Sequence, residues 1–366
     1  MRNIFNKKSI CFILPSFSDI PCGGYKVVYE YSQEFYKHGY KVYILYIDFL
    51  KPFYKWEKVS FFIKFKYLVK RILRYNQKNK WYKLEKGIVE LTAPVLSHFW
   101  LPKSYNFCAT AVDTSYFLDK VNISHSRKFY LIQDFEFWGT SEEYAFNSYK
   151  LKLNKIAISP WLCKKLDEVN EQYSYIPNGF NFSYFKLITP IKNRNPHSVA
   201  LLYHVDDRKR FTDALEALTL VRQNDPLLSV KLFGAFPPPE NLPDWITFYL
   251  KPNENIHNMI LNTSSIFIVS SKAEGFCLPG GEALICGCAL ACTDCGGINV
   301  YAHNTTTALI SPVCDPNALS KNILKLINDD SLRIRIATEG NKIIRQFTWE
   351  KAYNLFSDFI LKHNNE

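Results

Sequence analysis

The residues best equipped for chemistry lie in one stretch, SSKAEGFCLPGGEALICGCALACTDCGG, at positions 270–297. Glu274 and Glu282 have seven residues between them, and a turn bearing Gly and Pro joins an apolar run to a helical pattern there. A turn of that kind presents unpaired backbone N–H groups and the positive end of a helix dipole, which suits a diphosphate. Two carboxylates beside it would accept hydrogen bonds from sugar and ribose hydroxyls. A second loop, Thr293-Asp294-Cys295-Gly296-Gly297, leaves the next apolar run. In an open α/β sheet, ligands bind at the edge where such loops emerge. The bland alternative is a pair of solvated surface carboxylates.

These residues need strands and helices to position them, and the pattern supplies both. Residues 9–14 are an apolar run, Gly23-Gly24 follows in a loop, and Val27, Val28, Tyr31, Phe35 and Tyr36 recur at helical spacing before Gly39. KVYILYI then reads as a second strand, and FYLIQD and KIAIS as later ones. The polar stretch TPIKNRNPHS marks a domain boundary. After it the pattern restarts: VALLYH, LSVKLFG, SSIFIVSS and CALACTD as strands, FTDALEALTLVRQ and GGEALICG as helices. The expectation is α/β architecture, two domains in tandem. The last segment, TWEKAYNLFSDFILKHN, carries an apolar stripe at Trp349, Tyr353, Phe356 and Phe359/Ile360 that needs a surface to dock on.

EGFCLPGGE resembles the E-x7-E signature of the retaining family-4 glycosyltransferases. LLYHVDDRKRFTDALEAL, TDCGG, TALISPVCDPNALSKNILKLINDD, PCGGYKVVYEYSQEFYKHGYKVYIL, YLIQDFE, AISPWL and IPNGFN are similar to further motifs of that family, in order along most of the chain except roughly 50–105. The resemblance implies the GT-B fold, two Rossmann-like domains facing across a cleft. It divides the chain into 1–185 (acceptor side, with a basic insertion at about 51–86), 186–345 (nucleotide-sugar binding) and 346–366, a helix packing back on the first domain. It places Glu274 against the donor sugar and Glu282 on ribose, with Gly275 and Phe276 in the signature loop and Gly296-Gly297 beside the donor. Lys209 corresponds to the lysine that grips the diphosphate, and Gly23-Gly24 to the loop closing over the phosphates. Three departures stand out. His204 replaces an arginine and Arg210 a glycine, so Arg208 or Arg210 becomes a candidate second cation. Val300 replaces an acidic residue. A histidine of the wider family is absent, and Gln133, Asp134 and Glu136 occupy that strand end as acceptor-side candidates.

Each of these has a plainer reading. Lys209 sits in the charge run DDRKR, and such runs are usually solvated. His204 is a core or capping histidine or a phosphate donor. Gly23-Gly24 is a turn or a phosphate loop, and Asp134 and Glu136 simply end a strand or contact substrate.

Composition narrows the class. With 47% hydrophobic and 22% charged residues in 366, the chain has material for two packed interiors, not for long disorder. No run reaches the ~18 apolar residues of a membrane-spanning helix, and the run Ile10–Leu14 is too short for a secretory signal. A cytoplasmic location is the expectation. Cys286, Cys288, Cys292 and Cys295 lack paired-knuckle spacing and read as small buried hydrophobes, so neither metal nor cofactor is expected.

The net charge of +11 is concentrated in 51–86, where twelve Lys and Arg face only Glu57 and Glu85. Phe61, Phe65, Leu68, Ile72 and Tyr75 make a stripe there opposite Lys64, Arg71, Arg74 and Lys78. That pattern fits a helix lying on an anionic membrane from the cytoplasmic side, or a helix packed on its own domain. No nucleic-acid-binding motif accompanies the charge. The expected activity is hexosyl or deoxyhexosyl transfer, with retention, from a nucleotide sugar to a saccharide or lipid-linked acceptor in surface-polysaccharide or lipopolysaccharide assembly. The rivals are a phosphorylase or epimerase on the same fold and a non-catalytic scaffold.

Overall fold

The computed structural model describes residues 8–47, 69, 78–93, 101–137 and 140–365. Of the basic segment 51–86, only 69 and 78–86 fall among them, so the membrane-surface reading lies outside the described residues. The chain divides into two compact units. Unit 1 comprises Met1–Ile158, Leu162–Pro177 and Trp349–Glu366, and unit 2 comprises Ser159–Trp161 and Asn178–Thr348. The division therefore falls at Pro177/Asn178 instead of 185/186, and the polar stretch 189–198 lies inside unit 2.

Unit 1 is built on strands β1 (Ser9–Leu14), β2 (Lys41–Ile47), β3 (Val89–Ala93), β4 (Asn106–Ala109), β5 (Lys128–Ile132), β6 (Asn154–Ala157) and β7 (Tyr173–Tyr175). They pair in the order β3-β2-β1-β4-β5-β6-β7, every pair parallel. A parallel sheet needs cover on both faces, which is why β1, β4 and β5 are buried throughout. Helices α1 (Gly23–Lys37), α2 (Val112–Asp119), α3 (Glu142–Tyr149) and most of α4 (Pro160–Asp167) belong to this unit. Gly23-Gly24, expected in a loop, opens α1 instead. Cys22 is extended at its cap, and the helix ladder starts at once with Lys26 N–H on Cys22 O at 3.0 Å. The final helix of the chain (Trp349–Asn364) docks its aromatic stripe here. Phe356 stacks edge-on against Tyr31 (5.3 Å) and Phe35 (5.4 Å), and Trp349 against Tyr31 (5.2 Å).

Unit 2 repeats the plan. Strands β8 (Ser198–Tyr203), β9 (Ser229–Gly234), β10 (Ile246–Leu250), β11 (Ile266–Val269), β12 (Ala289–Thr293) and β13 (Ala308–Ser311) pair as β10-β9-β8-β11-β12-β13, all parallel. Its helices are α5 (Phe211–Asn224), α6 (Glu254–Asn262), α7 (Leu278–Ile285), α8 (Pro316–Asn328) and α9 (Asp330–Ile344), which makes the final helix of the chain α10. Val199, Leu201, Leu232, Ile266, Ile268, Ala289 and Ala291 are among the strand residues of the core, packed in one cluster with Ala214, Leu218 and Ile323 from the helices. Both sheets reverse strand order once in this way, between β1 and β4 and between β8 and β11. Such a switch point opens a crevice at the carboxyl edge.

The stretch 189–198 packs into unit 2 because of Arg194, only 6% exposed. Its guanidinium donates to Leu261 O (3.2 Å) and Ser264 O (3.0 Å) at the end of α6, to Cys286 O at the end of α7, and to Thr189 O (2.9 Å). One cation thus satisfies the orphan carbonyls of two helix ends, where positive charge is favoured. Arg194→Ala is expected to strand several buried carbonyls and cost at least about 3 kcal/mol. Chemical denaturation of the variant should show the loss, and an unchanged midpoint would refute the capping role.

Candidate functional site

The loops after β8 and β11 flank the switch point of unit 2, and they bring the two residues singled out as catalytic into contact. Lys209 Nζ lies 2.6 Å from Glu274 Oε1 and 2.8 Å from Oε2. Lys209 ends a short 3-10 turn, Asp207–Lys209, whose backbone is tied by Lys209 N–H to Asp206 O (2.9 Å) and by Ser270 Oγ donating to Lys209 O (2.9 Å). Glu274, 8% exposed, is held more tightly. Its N–H bonds Cys295 O and its carbonyl accepts Gly297 N–H, both at 2.8 Å, so the loops after β11 and β12 form one local ladder. Ser271 Oγ donates to Glu274 Oε1 at 2.6 Å, and Thr293 Oγ1 to Ser271 O at 2.6 Å. Ser271 was missed from the sequence: it lies in a loop ahead of the helix that starts at Leu278, where no periodic pattern marks its hydroxyl.

His204 follows β8 directly. Its Nδ1 accepts the Asp206 N–H at 3.0 Å, which leaves the proton on Nε2. Burial, with the Lys209 charge behind it, pushes its pKa below the usual histidine value, so the ring is neutral at pH 7. A neutral N–H donor therefore stands where the resemblance implies a cation. Arg208 and Arg210 have acidic partners of their own. Arg208 Nη2 is 2.7 Å from Asp206 Oδ2, and Arg210 Nη2 is 2.7 Å from Asp213 Oδ1. Arg210 also adopts the left-handed conformation (φ 50°) that glycine takes most readily, as the cap of α5.

Glu282, on the second turn of α7, is 6% exposed. Its neighbourhood is Tyr184 and Cys286: burial first, then the charges of Glu254 and Glu282, holds the Tyr184 phenol above its usual range. Phe276 turns its ring into the core against Phe180 (5.7 Å) and Tyr301 (6.1 Å), so it supports the loop from below. Gly275 is packed under Gly297, and Gly296 (φ 84°) sits against the Trp161 ring. Cys286, Cys288, Cys292 and Cys295 are all buried, and burial raises each thiol.

The acceptor-side candidates in unit 1 separate into different roles. The Gln133 amide lies beside Gly24, its Nε2 donating to Thr110 O at 3.1 Å, while its buried Oε1 has no partner among the described residues. Glu136 Oε2 accepts the Val112 N–H at 2.9 Å and so caps α2. Asp134 Oδ1 accepts the Phe135 N–H at 2.9 Å.

Residues 192–343 match the family model described as Glycosyl transferases group 1. The match lies within unit 2, and the two parallel α/β sheets give the chain the GT-B fold. Part of the chain is similar to an uncharacterized glycosyltransferase of Methanocaldococcus jannaschii, 31% identical over 88 residues (24% of this chain, 25% of that protein). Another part-length relative is O-antigen chain mannosyltransferase B of Escherichia coli, 35% identical over 89 residues (24% and 22%). These matches span about a quarter of the length of the curated relatives. Among solved structures, HepE of Anabaena in complex with UDP-glucose has the same fold, with a TM-score of 0.72 at 14% identity over 97% of this chain and 99% of that one. Among the described residues, no helix is long and apolar enough to cross a membrane.

Proposed function

We propose that the protein is a retaining glycosyltransferase that moves a hexosyl or deoxyhexosyl group from a nucleotide diphosphate sugar to a hydroxyl of a saccharide or lipid-linked acceptor, in cell-surface polysaccharide or lipopolysaccharide assembly. The observation that carries this reading is the Lys209–Glu274 pair at the carboxyl edge of the unit 2 sheet, just ahead of the N-terminus of α7. Lys209 meets the diphosphate together with the first N–H groups of α7, Glu274 accepts from sugar hydroxyls, and Glu282 from the ribose. His204 contributes its Nε2–H. The group 1 model match, the mannosyltransferase relative and the UDP-glucose complex of HepE support the donor class. Retention is what the E-x7-E resemblance implies.

The bond from the anomeric carbon to the diphosphate oxygen breaks as the acceptor oxygen bonds that carbon on the same face. The acceptor proton passes to a departing phosphate oxygen, and the nucleoside diphosphate leaves. Negative charge grows on the leaving group throughout, so fixed donors aimed at it are where most of the rate originates. Acceptor binding is assigned to unit 1 around Gln133, and contact with an anionic membrane to residues 51–86.

Thermal shift against UDP, GDP, ADP and CDP and their hexose conjugates tests the donor site. One nucleotide series should raise the melting temperature selectively, since a ligand at about 100 times its Kd adds roughly 2.7 kcal/mol. Glu282→Ala should abolish that rise. A wild type indifferent to every diphosphate at millimolar concentration refutes the reading.

A further inference from the structure

Resting on the donor-site reading, we infer that Glu274 is also a specificity gate: it competes with the donor's diphosphate for Lys209, so that a nucleotide carrying its sugar is favoured over the bare nucleoside diphosphate. The structure shows both Glu274 oxygens within 2.8 Å of Lys209 Nζ, with the side chains 10% and 23% exposed. The carboxylate is the fixed partner. Its backbone is locked to Cys295 and Gly297, and Ser271 Oγ holds Oε1 at 2.6 Å. Lys209 reaches the carboxylate through a flexible four-carbon stem, and that stem is what swings when a diphosphate arrives.

The balance of bonds then depends on the ligand. A bare nucleoside diphosphate takes Lys209 and leaves a largely buried carboxylate without its cation, which is costly. A nucleotide sugar takes Lys209 and also returns donors to Glu274 through its hydroxyls. The carboxylate therefore taxes the product and spares the substrate, which favours product release after transfer.

The test is isothermal titration of wild type and Glu274→Gln with UDP, GDP, ADP and CDP, each alongside its hexose conjugate. Gln keeps the shape but loses the charge, so it competes only weakly for an ammonium. The pair is intermediate in exposure between surface and buried examples, so the bare diphosphate of the responding series should bind about tenfold tighter to the variant. The conjugate should bind no tighter. If both ligands tighten equally, the effect is loss of through-space repulsion and the gate is refuted. An unchanged diphosphate with a weakened conjugate leaves Glu274 as a sugar contact alone, which also refutes it. If no nucleotide binds wild type or variant, the donor-site reading itself falls, and the gate falls with it. Glu274→Ala, read the same way, stands in should the Gln variant fail to melt cooperatively.

Discussion

Lys209→Ala is expected to lower kcat/KM for sugar transfer by roughly two to three orders of magnitude, the usual cost of removing one preorganised group from developing negative charge. The readout is release of nucleoside diphosphate from whichever donor the thermal-shift panel identifies. Two effects add in this variant. The growing diphosphate charge loses the cation placed at the switch point, and Glu274, 8% exposed, loses the partner at 2.6 Å that neutralises it. Arg208→Ala is the control. Its guanidinium is folded onto Asp206 at 2.7 Å, so its removal should cost less than about tenfold, in keeping with a partly exposed pair. Equal damage from the two variants would move the charge-stabilising role off Lys209. A Lys209→Ala enzyme that kept a third or more of its rate would sink the assignment outright. Lys209→Arg should recover only part of the loss, because the wider fork cannot occupy the point position of an ammonium between Glu274 and a phosphate.

Much of this architecture is legible in the residues. The runs that become β8, β11 and β12 are continuous and apolar, as strands covered on both faces must be. The stripe from Trp349 to Ile360 announced a docking helix. Glu274, Glu282 and Lys209 could be named because spacing within a motif is local. Their pairing could not, because Lys209 and Glu274 lie 65 residues apart and meet only when β8 and β11 become neighbours. Arg194 misled for the same reason. A basic residue among Asn and Pro reads as linker, and the carbonyls it serves lie as far as 92 residues away. β10 escaped notice because ITFYL lies at the sheet edge and is buried only at Ile246. Phe276 belongs to the signature loop by position, yet no periodicity in so short a segment shows that its ring points inward.

Gly297→Ala should do the most damage for the smallest change. A methyl placed there would lie 2.2 Å from the carbonyl carbon and oxygen of Gly275 and 2.4 Å from the Glu274 carbonyl oxygen. These are backbone atoms, so no side chain can rotate aside, and the loops after β11 and β12 must part. Parting them strains the bonds from Gly297 N–H to Glu274 O and from Glu274 N–H to Cys295 O, both 2.8 Å, which set the height of the Glu274 carboxylate. Overpacking of this kind costs about 3 kcal/mol. For a unit of this size that is a fall in melting temperature of roughly 6–12 °C. The thermal response to the donor should vanish as well, although Gly297 offers a ligand no side chain. A comparison with Glu274→Ala separates the two losses. That variant keeps the ladder and should melt close to wild type, while Gly297→Ala should lose stability and donor response together. A Gly297→Ala protein that melted within a degree of wild type and still responded to donor would mean that the two loops are not in contact. The double glycine of DCGG would then have another cause.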